Sequence, residues 1–239
     1  NTEETLSAFN FARDTHIPVA AITAGGILLE SVRRVEAPYI EIPNTGIQPR
    51  MSVGLQMKAL LKLLGYSDGL RALGRLHDTF DPARYMGEGE VLAHRLRGYV
   101  PVIYASRANG PLSYVTKIQL NETGKMPAFS NVVPELNHNE MTGFDRVLKT
   151  KELSERFHFV FLKDIHDDPN IVRRMNVLER IYKEKGLPVT PVMLNEADPF
   201  RKIFVALIIA AWTAYYLARY YDVDPENVPL VEEFKRRIR

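Results

Sequence analysis

Short, almost unbroken apolar runs recur along the chain at 17–23, 39–43, 99–106, 128–132, 157–162 and 189–194. Runs of this length without polar alternation predict strands buried on both faces, as in a parallel sheet covered by helices. Between them, 2–14, 27–33, 51–64, 110–121, 168–185, 199–221 and 227–239 predict helices, with a shorter one at 139–142. Ala24-Gly25-Gly26 closes the first strand with a turn that tolerates unusual backbone angles. Strand and helix in alternation predict an open α/β architecture with parallel sheets flanked by helices. Residues 66–95 lose that rhythm, because Gly69, Gly74, Pro82, Gly87 and Gly89 interrupt charged helical fragments. The expected division is 1–72 as one α/β unit, cut short at its N-terminus; 73–95 as a connecting region; 96–222 as a second α/β unit; and 223–239 as a C-terminal helix.

The helical run 203–218 is apolar on every side. It is shorter than the roughly 20 residues that span a bilayer, so burial in a core or a subunit interface explains it better than a membrane. Composition narrows the classes further. At 239 residues and 46% hydrophobic, the chain suits one large domain or two small ones. It has no cysteine, which excludes disulfides, thiolate nucleophiles and cysteine-held metal, and fits a cytoplasmic setting. A net charge of +2, with both signs well mixed, argues against a dedicated nucleic-acid binder. The polar, acidic start Asn1-Thr2-Glu3-Glu4 is unlike a signal peptide.

Open α/β sheets bind ligands beyond the carboxyl ends of their strands, where helix N-termini favour phosphate. Thr2, at a helix start, reads either as an N-cap or as a phosphate contact. Ser106-Arg107-Ala108-Asn109-Gly110-Pro111 lies between a strand and a helix and reads either as ligand-facing or as a capped turn. Arg50, after Pro49, offers a rigid fork of donors to an anion or a plain surface charge. There is no Walker sequence and no GxGxxG, so nothing supports a nucleotide cofactor. His166-Asp167-Asp168 has the residue types of a metal site, but no further ligand accompanies it.

The densest polar stretch runs from Asn121 to Glu140. It holds three acids, four asparagines, a lysine and a histidine. Glu122 falls at the C-terminal end of a predicted helix, where the dipole disfavours a carboxylate. His138 sits between two asparagines in a loop, unlike a core histidine. Each has a plain reading, as a solvated acid and a surface imidazole. Together, a carboxylate and an imidazole can move protons between adjacent carbons of a substrate.

The stretches 1–6, 21–26, Pro49-Arg50, 121–125, 134–140 with Gly143, and 234–237 resemble the archaeal-type bifunctional phosphoglucose/phosphomannose isomerases. These belong to the phosphoglucose isomerase superfamily and contain two sugar-isomerase (SIS) domains. The resemblance spans the chain in order, and the Glu122 and His138 segments are its most specific part. It implies that a first glycine-rich turn and a serine-rich phosphate loop precede Asn1, leaving Thr2 as the remaining phosphate contact. It implies that Glu122 is the base moving a proton between C1 and C2 of the open-chain sugar. His138, supplied by the neighbouring subunit of a homodimer, and Lys235 would then assist ring opening, while Arg50 stabilises the enediolate. Neither metal nor other cofactor is implied. Where family members acting on mannose 6-phosphate carry a threonine, this chain has Val228, so mannose activity is expected to be weaker or absent. A sugar-phosphate-binding regulator, or an isomerase of another sugar phosphate, is the alternative.

Overall fold

A computed structural model describes residues 2–238, and these divide into two compact units, 2–79 and 80–238. The first unit opens with α1 (Glu3–Asp14), followed by β1 (Ala21–Thr23), α2 (Gly26–Arg34) and β2 (Tyr39–Glu41). The two strands pair in parallel through Ala21↔Tyr39, Ile22↔Ile40 and Thr23↔Glu41, joined by α2 as a crossover. Both are shorter than the apolar runs predict. Pro18 and Pro43 sit in those runs, and a proline has no N–H for a ladder. The turn after β1 needs its glycines: φ is 140° at Gly25 and 72° at Gly26. Phe9, Ala21, Leu28, Leu29 and Val32 form the unit's small core. A 3-10 turn, Pro49–Met51, leads into α3 (Val53–Leu63) and then α4 (Ser67–Thr79).

The second unit begins with a 3-10 turn, Pro82–Tyr85, and α5 (Met86–Leu96). It continues through β3 (Val100–Ser106), α6 (Gly110–Glu122), β4 (Phe129–Val133), the short α7 (Glu140–Gly143), β5 (Phe157–Asp164), α8 (Pro169–Glu184), β6 (Val189–Leu194), α9 (Pro199–Tyr220) and α10 (Pro229–Arg237). The four strands are all parallel, in the order β4-β3-β5-β6. Their alternate residues build two cores. Ile103, Ala105, Val160 and Leu162 face α5, α6 and α9, while Val102, Tyr104, Phe159 and Phe161 face α8 and Leu136. Because both faces are covered, the strands are apolar throughout, as the sequence pattern implied.

Two differences from the sequence expectation have clear causes. The stretch 66–95 is mostly helical, and α5 packs along α9 inside the second core. Gly69 and Gly89 are contact points, not breaks, whereas Gly74 and Gly87 face open space. A Cβ on Gly69 would lie 2.6 Å from the Tyr66 ring, and one on Gly89 would collide with Trp212 and approach Thr213 N at 3.0 Å. The helix α9 is long and apolar enough to cross a membrane by length and composition, but 44% of that window is buried within the chain. It buries one face, including Val205, Ile209, Ala214 and Leu217, whereas Tyr215 and Tyr220 are exposed. Its apolar character therefore does not require burial on every side in one chain.

Candidate active site

Glu122 is the last residue of α6, and the turn behind it is tightly tied. The amides of Thr123 and Gly124 both donate to the Gln119 carbonyl, at 2.9 and 3.2 Å, and Met126 N donates to Leu120 O at 3.2 Å. Gly124 is needed for this closure, since a Cβ there would sit 2.8 Å from the Leu120 carbonyl oxygen. Lys125 takes a left-handed φ of 53° and its ammonium donates to the Glu122 carbonyl. Asn121 Nδ2 closes the far side on Met126 O at 2.9 Å. Beside the turn is a cavity of about 340 Å³ lined by Tyr99, Lys125, Arg156 and Val223, among others. Asp224, near Lys125, has its carboxyl held below the ordinary range, chiefly by the Glu226 amide and the Asn227 side chain.

His138 lies at the other end of β4. It caps the 3-10 turn Glu135–Asn137, is exposed, and donates its amide to Glu135 O at 3.0 Å. Leu136, fully buried, plugs the loop into the core. Next to it a cavity of about 560 Å³ is lined by Asn137, Met141, Asn170, Arg173 and Arg174, among others. The Glu122 turn thus adjoins the starts of the strands, whereas His138 adjoins their finishes. The five residues of β4 separate the two ends by roughly 16 Å. One chain does not bring this carboxylate and this imidazole together.

The remaining expected residues are spread over both units. Lys235 is exposed on α10 and pairs with Glu232 at 2.9 Å. Val228 is half-buried at the N-cap position of the same helix. In the first unit, Arg50 is buried in the Pro49–Met51 turn, not a surface charge. Thr2 occupies the N-cap position of α1, but its side chain makes no capping bond.

Two polar assemblies join residues that the sequence reading took separately with others, Asp164, Lys202 and Tyr104, that it passed over. The first fills the crevice between the finishes of β3 and β5, where the sheet order reverses direction and ligands commonly bind. Asp164, buried, accepts from Lys202 Nζ at 2.6 Å, Asn109 Nδ2 at 3.1 Å and His166 N at 2.9 Å. Ser106 Oγ donates to Asp167 at 2.8 Å. Burial pushes the Asp164 carboxyl up, yet Lys202 and the other donors outweigh it and hold the group below its ordinary range. Burial wins at Asp167, which is raised. The 106–111 segment is therefore neither an empty ligand loop nor a simple cap: Asn109 spends its side chain on these carboxylates. Asp168, from the stretch considered for metal, caps α8 by accepting from Asn170 N at 2.8 Å. Among the described residues, no group of three or more His, Cys, Asp or Glu is placed to hold a metal ion.

The second assembly lies under the His138 loop. Tyr104 Oη donates to Glu140 Oε1 at 2.6 Å, and Asn131 Nδ2 donates to Glu140 Oε2. Tyr104 and Asn131 face each other in the β3–β4 register, a relation no single-sequence pattern displays.

Residues 86–238 match the family described as the bacterial phospho-glucose isomerase C-terminal SIS domain. The chain is 31% identical over 243 residues to the bifunctional phosphoglucose/phosphomannose isomerase of Aquifex aeolicus, covering 100% of this chain and 73% of that protein. It is 33% identical over 243 residues to the D-glucosamine-6-phosphate 4-epimerase of Sulfolobus acidocaldarius, covering 99% of this chain and 72% of that protein. In fold it is similar to a glucose-6-phosphate isomerase-like protein of Thermus thermophilus, with a TM-score of 0.62 at 18% identity, over 91% of this chain and 77% of that one. With its fold, its C-terminal domain and its full length all matched in this way, the chain belongs to the SIS-domain phosphoglucose/phosphomannose isomerase family.

Proposed function

We propose that the chain is an aldose–ketose isomerase interconverting glucose 6-phosphate and fructose 6-phosphate, with Glu122 as its carbon base. Once the sugar ring is open, Glu122 removes the C2 proton. The electron pair forms a C1–C2 double bond and the C1 oxygen becomes negative, giving a cis-enediolate. A proton passes from O2 to O1, and Glu122 returns its proton to C1, leaving the carbonyl at C2. Arg50 lowers the cost of the enediolate charge. Lys235 and His138 exchange protons with the sugar oxygens during ring opening, and Thr2 contacts the phosphate. This chemistry calls on no metal or redox cofactor.

The observation that carries this reading is the Glu122 turn. Gly124 and Lys125 fix the backbone of the helix end that carries Glu122, and a cavity with two cationic side chains lies beside that turn. The separation of Glu122 from His138 supports a site shared between two copies in a homodimer, each lending its imidazole to the other. Fructose 6-phosphate is supplied, and glucose 6-phosphate and mannose 6-phosphate are measured separately. Glu122→Gln should keep sugar-phosphate affinity and lower kcat by about 10²–10⁴. A variant within twofold of the parent protein overturns the assignment. Mixed protomers carrying Glu122→Gln and His138→Asn should regain about a quarter of the parent activity through the one intact site in each mixed dimer. Val228 lacks a hydrogen-bonding group, so mannose 6-phosphate should form more slowly. Equal rates for both products would refute that point alone.

A second reading is favoured by the relative named as a D-glucosamine-6-phosphate 4-epimerase. Its substrate would be an amino-sugar phosphate altered at C4. Turnover of that compound without turnover of fructose 6-phosphate would select it.

A further inference from the structure

The loop that presents His138 is short, and something must fix its exposed imidazole. On one side Leu136 is anchored in the core. On the other, Glu140 is half-buried beneath the loop, and both of its carboxylate oxygens are engaged from the sheet. Its donors are unusually rigid. Tyr104 is 0% exposed, with Phe159 and Phe161 rings 5.4 Å away. Burial first, then the neighbouring Tyr182 and Glu140, push its phenol far above the ordinary range, so it remains a donor throughout the working pH range. Asn131 is its register partner on β4, and the asparagine oxygen is itself held by Val132 N at 2.8 Å. Asn139 completes the loop: its side chain accepts from Glu140 N at 2.5 Å and donates to Glu135 at 3.0 Å.

We propose that Glu140, clamped by Tyr104 and Asn131, is the positioning residue for His138. This rests on the isomerase reading, in which His138 acts on the sugar. The carboxylate spans two donors with two oxygens; a glutamine would aim an N–H₂ at one of them and break that half of the clamp. Because small misplacements of a reacting group are expensive, Glu140→Gln should lower kcat about ten- to hundredfold with KM little changed. Tyr104→Phe should act in the same direction with a smaller loss. The double variant Asn131→Asp/Glu140→Gln restores a donor–acceptor pair and should recover activity.

The test is a cycle in the full chain, measuring fructose 6-phosphate turnover in the parent, Glu140→Gln, His138→Asn and the double variant. In the His138→Asn background, Glu140→Gln should cost nothing further. Equal losses in both backgrounds would overturn the proposal, since a general structural defect acts whether or not His138 is present. Hydrogen exchange at the His138 and Asn139 amides is the second readout. It should accelerate about tenfold in Glu140→Gln and return towards the parent value in Asn131→Asp/Glu140→Gln. Full activity of His138→Asn would defeat the isomerase assignment of that residue. Unchanged exchange in Glu140→Gln defeats the clamp itself, whatever the turnover shows.

Discussion

Lys202→Met removes the cation from the buried network at the finishes of β3 and β5. In the parent protein the Asp164 side chain is 2% exposed and Lys202 is 20% exposed, with 2.6 Å between Nζ and the carboxylate. Breaking a buried pair from one side costs about 3–5 kcal/mol, because the other charge stays desolvated. Asn109 and the His166 amide still donate to Asp164, and Lys202 keeps some contact with water. Both facts favour the low end, about 3 kcal/mol. Asp164→Asn/Lys202→Met removes both charges, so its loss should be only about 1 kcal/mol, the scale of an imperfectly replaced hydrogen bond. Trp212, the only tryptophan, lies on α9 with Lys202 and reports unfolding of the second unit in urea. The acid side gives an independent check. Asp164 has a depressed folded pKa, so its stabilisation is present above the unfolded carboxylate value and is lost as pH falls through the lower folded one. Lys202→Met should flatten that acid loss. Stability within 0.5 kcal/mol of the parent, or strict additivity in the double variant, would refute the claim that the pair is coupled.

Other perturbations test other joints. His158 is 5% exposed, and burial, the largest cause, lowers its imidazole to about 4. Its stabilisation is complete above the unfolded value of about 6.5 and drains away towards pH 4, up to about 3 kcal/mol, so His158→Gln should flatten a urea-stability profile across that window. Gly89→Ala drives a methyl into Trp212 where α5 meets α9; a loss of about 1–3 kcal/mol with altered Trp212 fluorescence is expected, and unchanged stability would mean the helices separate freely. Gly124→Ala presses on the Leu120 carbonyl and should lower kcat for fructose 6-phosphate about tenfold or more by moving Glu122, while far-ultraviolet circular dichroism stays the same.

The strands of the second unit were legible because burial on both faces writes itself into sequence as continuous apolar runs. Its helices α6, α8 and α9 were legible for a related reason, with Pro111, Asp168-Pro169 and Asp198-Pro199 marking their starts. The glycines of 66–95 misled because an isolated glycine has two physical meanings. It loosens a helix, and it also lets another group approach closely, as Trp212 does at Gly89. Only the tertiary contact tells them apart. The Tyr104–Asn131–Glu140 clamp was invisible for a similar reason. Its members come from two strands and a short helix, and the β3–β4 register aligns the first two. The visible clue was weaker: Tyr104 places a hydroxyl inside the apolar run of β3, and a buried hydroxyl needs a partner.

Sequence proximity of Glu122 and His138 drew attention to the pair, and the fold shows why proximity was the wrong measure. In a parallel α/β unit each helix returns the chain to the start of the sheet and each strand carries it to the finish. Helix α6 therefore delivers Glu122 to the strand starts, and β4 carries the chain across the sheet before His138 is reached. Sixteen positions of sequence contain one full crossing. Two residues placed this way serve different ends of one molecule. They can serve one reaction only where the start of one sheet meets the finish of another. The same crossing separates their support. Glu122 depends on a helix-end turn closed by Gly124, whereas His138 depends on a buried post rising from the finish of the sheet. Damage to one support should leave the other side chain in place. Gly124→Ala and Glu140→Gln protomers, mixed, should therefore recover activity that neither has alone.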